Sequence, residues 1–301
     1  MPGTDGRNAK GRIWVVALVA LIALAGGCGP SKPGRPSANL GTVIPARPVP
    51  AIPLLTVTGA STSLAAYRGR YVLLAPSLTL CQEVCPITTG ALTAIQHDLN
   101  RDGLASKVVI AELTVDPTRD TPARLSAYAH QFGVPFTLLT GTNANIAQLW
   151  SFFHFSYQNV PEPTPAGTDW WTGQALTYDV NHQNGFILID PAGNERFVTL
   201  DMPGTSGRLR PDLKALLDNQ GIANLTHSDP TITWIVPQAL HTLGWLMGQT
   251  IAHERAHQAL KAPARVGGKA VSADRPLPVV AKRGVKGVHR CRLGRCVTPS
   301  R

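Results

Sequence analysis

The 301-residue chain has room for two domains, but neither end has the composition of a packed core, so one folded domain with appendages is expected. Its net charge of +10 is unevenly placed: residues 252–301 carry twelve Lys or Arg against two acidic residues, and the remainder of the chain is balanced. That stretch is rich in Gly, Pro and Ala and lacks interleaved aromatics or a recognisable binding module, which argues against nucleic acid and for a solvated tail attracted to anionic lipid headgroups at a membrane surface.

At the N-terminus Arg7, Lys10 and Arg12 precede an apolar run over residues 13–25, followed by Gly26, Gly27 and Cys28. This is the order of a secretory signal with small residues at its cleavage point, so residues 1–27 are read as a signal peptide. The position of Cys28 is similar to that in a bacterial lipobox, with Ala25 standing where Leu is usual. The similarity implies an exported lipoprotein, anchored to the cell membrane through Cys28 on the extracytoplasmic side. The alternative is an uncleaved anchor, but the apolar run is shorter than the ~20 residues that cross a bilayer. Residues 28–52 are crowded with Pro, Gly, Ser and Ala and read as a spacer.

Beyond the spacer, apolar periods alternate. Residues 71–75 read as a buried strand, and residues 86–99 carry Ile87, Leu92, Ile95 and Leu99 at helical spacing. Residues 107–115 read as a second strand. Thr121-Pro122 opens a helix to about residue 132, with Pro where a missing N–H costs nothing. A strand over 136–139 and a helix over 143–153 follow. Within residues 178–200, two apolar runs joined by Asp190-Pro191-Ala192-Gly193-Asn194 predict a β-hairpin. A helix over 208–217 is expected to close at Asn219, Gln220 and Gly221, with Gly221 as its C-cap residue. This order predicts an α/β, thioredoxin-like domain over residues 53–225, with a central mixed sheet flanked by helices. Residues 226–260 contain an amphipathic helix with Val236, Leu240, Leu243, Met247 and Ile251 on one face, which either docks on the domain or lies in a membrane interface. Residues 261–301 read as a basic disordered tail.

Chemistry concentrates at Cys81-Gln82-Glu83-Val84-Cys85-Pro86, between the first buried strand and the first long helix. Unpaired N–H groups at a helix start stabilise a thiolate, which is both the nucleophile and the metal-binding form of cysteine. If residues 81–85 approximate one helical turn, both sulfurs face one side and can form a disulfide or grip a soft ion. His182, in Tyr178-Asp179-Val180-Asn181-His182-Gln183, is the candidate third ligand. Two thiolates and an imidazole suit copper in either oxidation state, and zinc is chemically open.

Three blocks in order resemble the Sco/SenC family of copper chaperones: Cys81 to Pro86; Leu113-Thr114-Val115-Asp116-Pro117-Thr118-Arg119-Asp120-Thr121-Pro122; and Tyr178 to His182 running into Ile187-Leu188-Ile189-Asp190. The resemblance implies a thioredoxin-like fold, copper bound by Cys81, Cys85 and His182, and a role in building the copper centre of cytochrome c oxidase. The partner would then be the oxidase subunit that carries that centre, or another cuproprotein. The chain departs from the family's pattern at residues 75–80, at Asn181 and at Gln183.

Two functions remain open from the residues themselves. A metallochaperone needs Cys81, Cys85 and His182. An extracytoplasmic thiol-disulfide oxidoreductase needs Cys81 and Cys85 as catalytic thiols and no histidine. Asp116 is expected to lie near the thiols or to cap a turn, Arg119 and Asp120 to hold that turn, and Trp170 and Trp171 to form core or a lid. In the tail, Cys291 and Cys296 are expected to form a local disulfide, and the pair His253 and His257 lacks a third ligand.

Overall fold

The computed structural model describes residues 32–204, 208–226 and 233–251. Cys28, His253, His257, Cys291 and Cys296, with the signal segment and basic tail, lie outside them. The chain enters through β1 (Thr42–Pro48), β2 (Leu54–Thr56) and β3 (Ser61–Thr62), and a 3-10 turn leads into β4 (Tyr71–Ser77). Next come α1 (Cys85–Arg101), β5 (Val108–Thr114), α2 (Pro122–Gln131), β6 (Thr137–Thr140) and α3 (Asn143–Phe152). A small hairpin of β7 (Tyr157–Val160) and β8 (Asp179–His182) precedes a second one, β9 (Phe186–Ile189) and β10 (Asn194–Thr199). The described chain finishes with β11 (Met202–Pro203), α4 (Pro211–Lys214), α5 (Asn219–Thr226), β12 (Thr233–Trp234) and α6 (Val236–Met247).

Eight strands form the central sheet in the order β1-β10-β9-β4-β5-β6-β2-β3, with β4, β5 and β6 parallel and the flanking pairs antiparallel. This is the mixed, helix-flanked sheet expected of a thioredoxin-like α/β domain. Successive residues of a strand face opposite sides, and β4 obeys this: Leu73 and Ala75 join the core under α1 and α6, while Val72 and Leu74 join the core under α3. Both faces are covered, which is why the β4 and β5 runs are apolar almost throughout. At α2 the Thr121 side chain accepts from the Arg124 N–H and Pro122 occupies the first turn, as the sequence predicts.

Three expectations change. Composition reads residues 28–52 as spacer, but Thr42–Pro48 form β1, an edge strand paired with β10; on an edge, two prolines cost few ladder bonds. The helix expected over 208–217 is only the short α4, and Asn219 to Gly221 begin α5 instead of ending a helix. Gly221 is needed there for close approach, because a Cβ would stand 2.3 Å from the Gln82 carbonyl oxygen. The His182 segment does not join the β9-β10 hairpin; it pairs with β7 in a separate two-stranded sheet. For α6 the structure chooses docking: Ala239, Leu240 and Leu243 are buried in one core with Leu92, Ile95 and Leu99 of α1. Among the described residues, no helix is long and apolar enough to cross a membrane.

Candidate metal and redox site

Strand β4 runs out at Ser77 into a turn, Leu78-Thr79-Leu80, that delivers Cys81. The turn is pinned by Asp120, whose buried carboxylate accepts from the Thr79 N–H, from the Thr79 hydroxyl and from the Thr114 hydroxyl at the end of β5. Cys85 is the first residue of α1 and is buried, and its sulfur accepts from the Leu78 N–H at 3.3 Å. Cys81 is half-buried and sits before the helix; residues 81–84 form a non-helical bend, so the sulfurs converge through a turn and not through one helical turn. Both thiols are free. Two elements hold the bend: Asp218 donates its N–H to the Gln82 carbonyl at 3.0 Å, and the Gln82 side chain donates to the Thr168 carbonyl at 3.0 Å.

His182 closes β8. Its Nδ1 lies 2.8 Å from the Gln183 carbonyl oxygen, and because a carbonyl only accepts, Nδ1 carries a proton. In the neutral ring that leaves the Nε2 lone pair free, and Nε2 stands 3.4 Å from Cys85 Sγ. The donor atoms of Cys81, Cys85 and His182 all lie within 4.8 Å of one another, so the structure brings together the three residues that the sequence singles out. Two sulfurs and one imidazole nitrogen form a soft donor set that fits a thiophilic ion.

The two thiols are unequal. The hydrogen bond from Cys85 holds Cys81 well below the ordinary thiol range against the effect of burial, helped by the neighbouring His182. The same sharing, together with burial, pushes Cys85 well above it. The first proton to leave the pair therefore comes from the more accessible sulfur, Cys81. Burial works against the charged form of His182, but the Cys81 thiolate outweighs it and raises the pKa of the ring. A cavity of about 280 Å³ opens beside the ring, lined by Ser156, Tyr157, Gln158, Asn181, His182 and Gln183.

Asp116 and Arg119 lie behind the histidine strand. Arg119 Nε donates to Asp116 Oδ2 at 2.5 Å and Nη1 donates to the Tyr178 carbonyl at 2.7 Å, while the Tyr178 hydroxyl donates to Asp116 at 2.8 Å. Burial, then the bond to Asp116, raises the Tyr178 pKa to about 12, which keeps that hydroxyl a donor. Trp170 is partly buried and packs on Tyr128 of α2 and on Phe132 just beyond that helix, at the edge of the core, whereas Trp171 is exposed.

Sequence reasoning missed Glu112, a wholly buried carboxyl in the middle of β5. It accepts from Thr89, one helical turn beyond Cys85 on α1, at 2.8 Å and from Ser77 at 3.3 Å; burial raises its pKa to about 8. The available signal was a single acidic residue inside the apolar run over 107–115.

A parallel β4-β5-β6 core extended by antiparallel strands, with a C-x-x-x-C motif opening its first long helix, defines a thioredoxin-like dithiol protein. The family model described as SCO1/SenC matches residues 50–217, and the chain belongs to that family. Among its relatives is the mitochondrial SCO2 homolog of Danio rerio, 28% identical over 140 residues, a match covering 46% of this chain and 47% of that one. The Bos taurus counterpart is 29% identical over 140 residues and is covered to 49%. The chain thus spans about half the length of these curated relatives. A solved structure of Bradyrhizobium japonicum ScoI with copper bound is 24% identical, with a TM-score of 0.43 over 56% of this chain and 96% of that one.

Proposed function

We propose that the chain binds copper as cargo through Cys81, Cys85 and His182 and passes it to the copper centre of cytochrome c oxidase or to another cuproprotein. The observation that carries this reading is the convergence of two free thiols and an imidazole within 4.8 Å. Sulfur favours Cu(I), nitrogen helps hold Cu(II), and membership of the SCO1/SenC family supports this choice of ion. Binding requires both sulfurs as thiolates and the imidazole as the neutral ring that offers Nε2, and the lowered pKa of Cys81 makes it the first donor to engage. Its partial exposure also makes it the sulfur that an acceptor's ligand reaches first, so the ion leaves by stepwise ligand exchange while buried Cys85 stays fixed to Leu78. The N-terminal signal and Cys28 support export and lipid anchoring, and the basic tail supports attraction to a membrane surface.

The unequal thiols also favour a second reading, a thiol-disulfide oxidoreductase in which Cys81 attacks a target disulfide and Cys85 resolves the mixed disulfide. Titration of the reduced protein with copper separates the two. The chaperone reading expects one ion per chain, loss of tight binding in Cys81→Ser and Cys85→Ser, and loss of the Cu(II) spectrum in His182→Ala. Undiminished dithiol exchange in His182→Ala, with no copper bound by the wild type, would establish the oxidoreductase instead.

A further inference from the structure

The geometry points to Asp116 and Arg119 as positioning residues that set the distance between His182 and the two thiols, an inference that rests on the copper site proposed above. His182 is not carried by the central sheet. It closes β8, which among the described residues pairs only with β7, so the imidazole is placed by whatever fastens this small sheet to the frame. One fastening is the buried side chain of Val180, which packs in the core with Leu113 and Val115. Apolar packing fixes depth but is weakly directional. A second fastening is directional and lies at Tyr178, immediately before β8. Arg119 donates to the Tyr178 carbonyl at 2.7 Å and lies with its guanidinium carbon 3.8 Å from the centre of the Tyr178 ring. Asp116 accepts from the Tyr178 hydroxyl at 2.8 Å and from Arg119 Nε at 2.5 Å.

Asp116 is itself anchored. It is buried, lies two residues beyond the end of β5, and accepts from the N–H groups of Thr118 and Arg119, while its own N–H donates to Thr114 Oγ1 at 2.9 Å. The contact therefore joins a central strand to the strand that bears the ligand. Tyr178 and His182 are four residues apart on extended backbone, which transmits a displacement of one end to the other. With Nε2 only 3.4 Å from Cys85 Sγ, a shift of about 1 Å removes the imidazole from a shared coordination sphere. Groups that orient a metal ligand without touching the metal typically change affinity by about 10- to 100-fold when removed.

The test uses the full-length reduced protein and the variants Arg119→Met and Tyr178→Phe, the second keeping the ring and the carbonyl acceptor while losing only the hydroxyl. In the metal-free protein, NMR contacts between the His182 ring and the Cys85 methylene are expected to weaken in Tyr178→Phe and to be lost in Arg119→Met. With copper, Cu(II) affinity is expected to fall about 10- to 100-fold in Arg119→Met, and by less in Tyr178→Phe, with Cu(I) affinity changing less than Cu(II) affinity in both. Adding Arg119→Met to His182→Ala is expected to cause no further loss of Cu(II) affinity. Unchanged ring contacts in both variants, or an additive loss on the His182→Ala background, would overturn the assignment. If the wild type binds no copper, the proposed function fails while the metal-free ring contacts still decide the positioning role. Should Arg119→Met not fold, the ring contacts and Cu(II) affinity of Tyr178→Phe decide it.

Discussion

At the residue scale, the site shows how one fold holds carboxyls in opposite states. Asp190 at the β9-β10 turn accepts from its own turn and from Arg196, which hold it below the ordinary carboxylate range despite burial, whereas Glu112 has only neutral hydroxyl partners and burial prevails. The sign of the stability effect follows. With a pKa of about 8 in the folded chain against 4.5 for an ordinary glutamate, the unfolded state releases the proton first as pH rises. Glu112 therefore favours folding below pH 4.5, and that contribution is lost progressively up to about pH 8, at up to about 1.4 kcal/mol per unit. Urea unfolding of Glu112→Gln beside wild type, from pH 5 to 8, is expected to show the variant gaining relative stability with pH. Parallel profiles would mean that Glu112 is already charged in the folded protein.

At the element scale, the segment between β7 and β8 is fastened to α2 and to the cysteine bend by separate contacts. Arg124 makes two parallel bonds of 2.8 Å to Asp169, both side chains being about nine-tenths buried, and Gln82 reaches Thr168 from the bend. Neutralising one member leaves the other charged and buried, which costs far more than the intact pair contributes. Asp169→Asn is expected to lower stability by about 3–5 kcal/mol in urea unfolding and to raise the exposure of Trp170, read by its fluorescence. A loss below about 1 kcal/mol would show that water reaches Arg124 when its partner is gone.

For the whole molecule, the decisive contact is the return of the chain after the sheet is complete. Residues 236–247 follow the end of the family match at residue 217, yet they pack as α6 against α1, the helix that begins with Cys85. Leu240 and Leu243 are wholly buried there, together with Trp234, whose ring meets Phe186 of β9 edge-on at 5.1 Å. Leu240→Ala is expected to cost about 2–5 kcal/mol of global stability while leaving copper stoichiometry unchanged, because Leu240 belongs to the core that holds Leu92, Ile95 and Leu99 and not to the one that holds Cys85. Coincident loss of copper binding and of folding cooperativity would show instead that α6 governs the site.

Much of this was determined by local sequence. Hydrophobic period located β4, α1, β5, α2, β6 and α3 within a few residues, because each of these segments has a face that must be buried, and turn chemistry located the Asp190–Asn194 turn of the β9-β10 hairpin though not where its first strand begins. Cys81 and Cys85 were legible from their place between a strand and a helix, and His182 from its motif. Tertiary structure alone decided the rest. That β1 joins an edge was hidden, since its strand bonds come from β10, far along the chain, and not from its own composition. Gly221 looked like a helix end because a glycine required for close approach to Gln82 carries the same letter as a glycine required for a turn. Glu112 was silent because its partners, Ser77 and Thr89, are assembled only by folding. The spacing of His182 from the thiols was likewise absent from the sequence, for it depends on contacts between Asp116, Arg119 and Tyr178 that exist only when β8 lies against the end of β5.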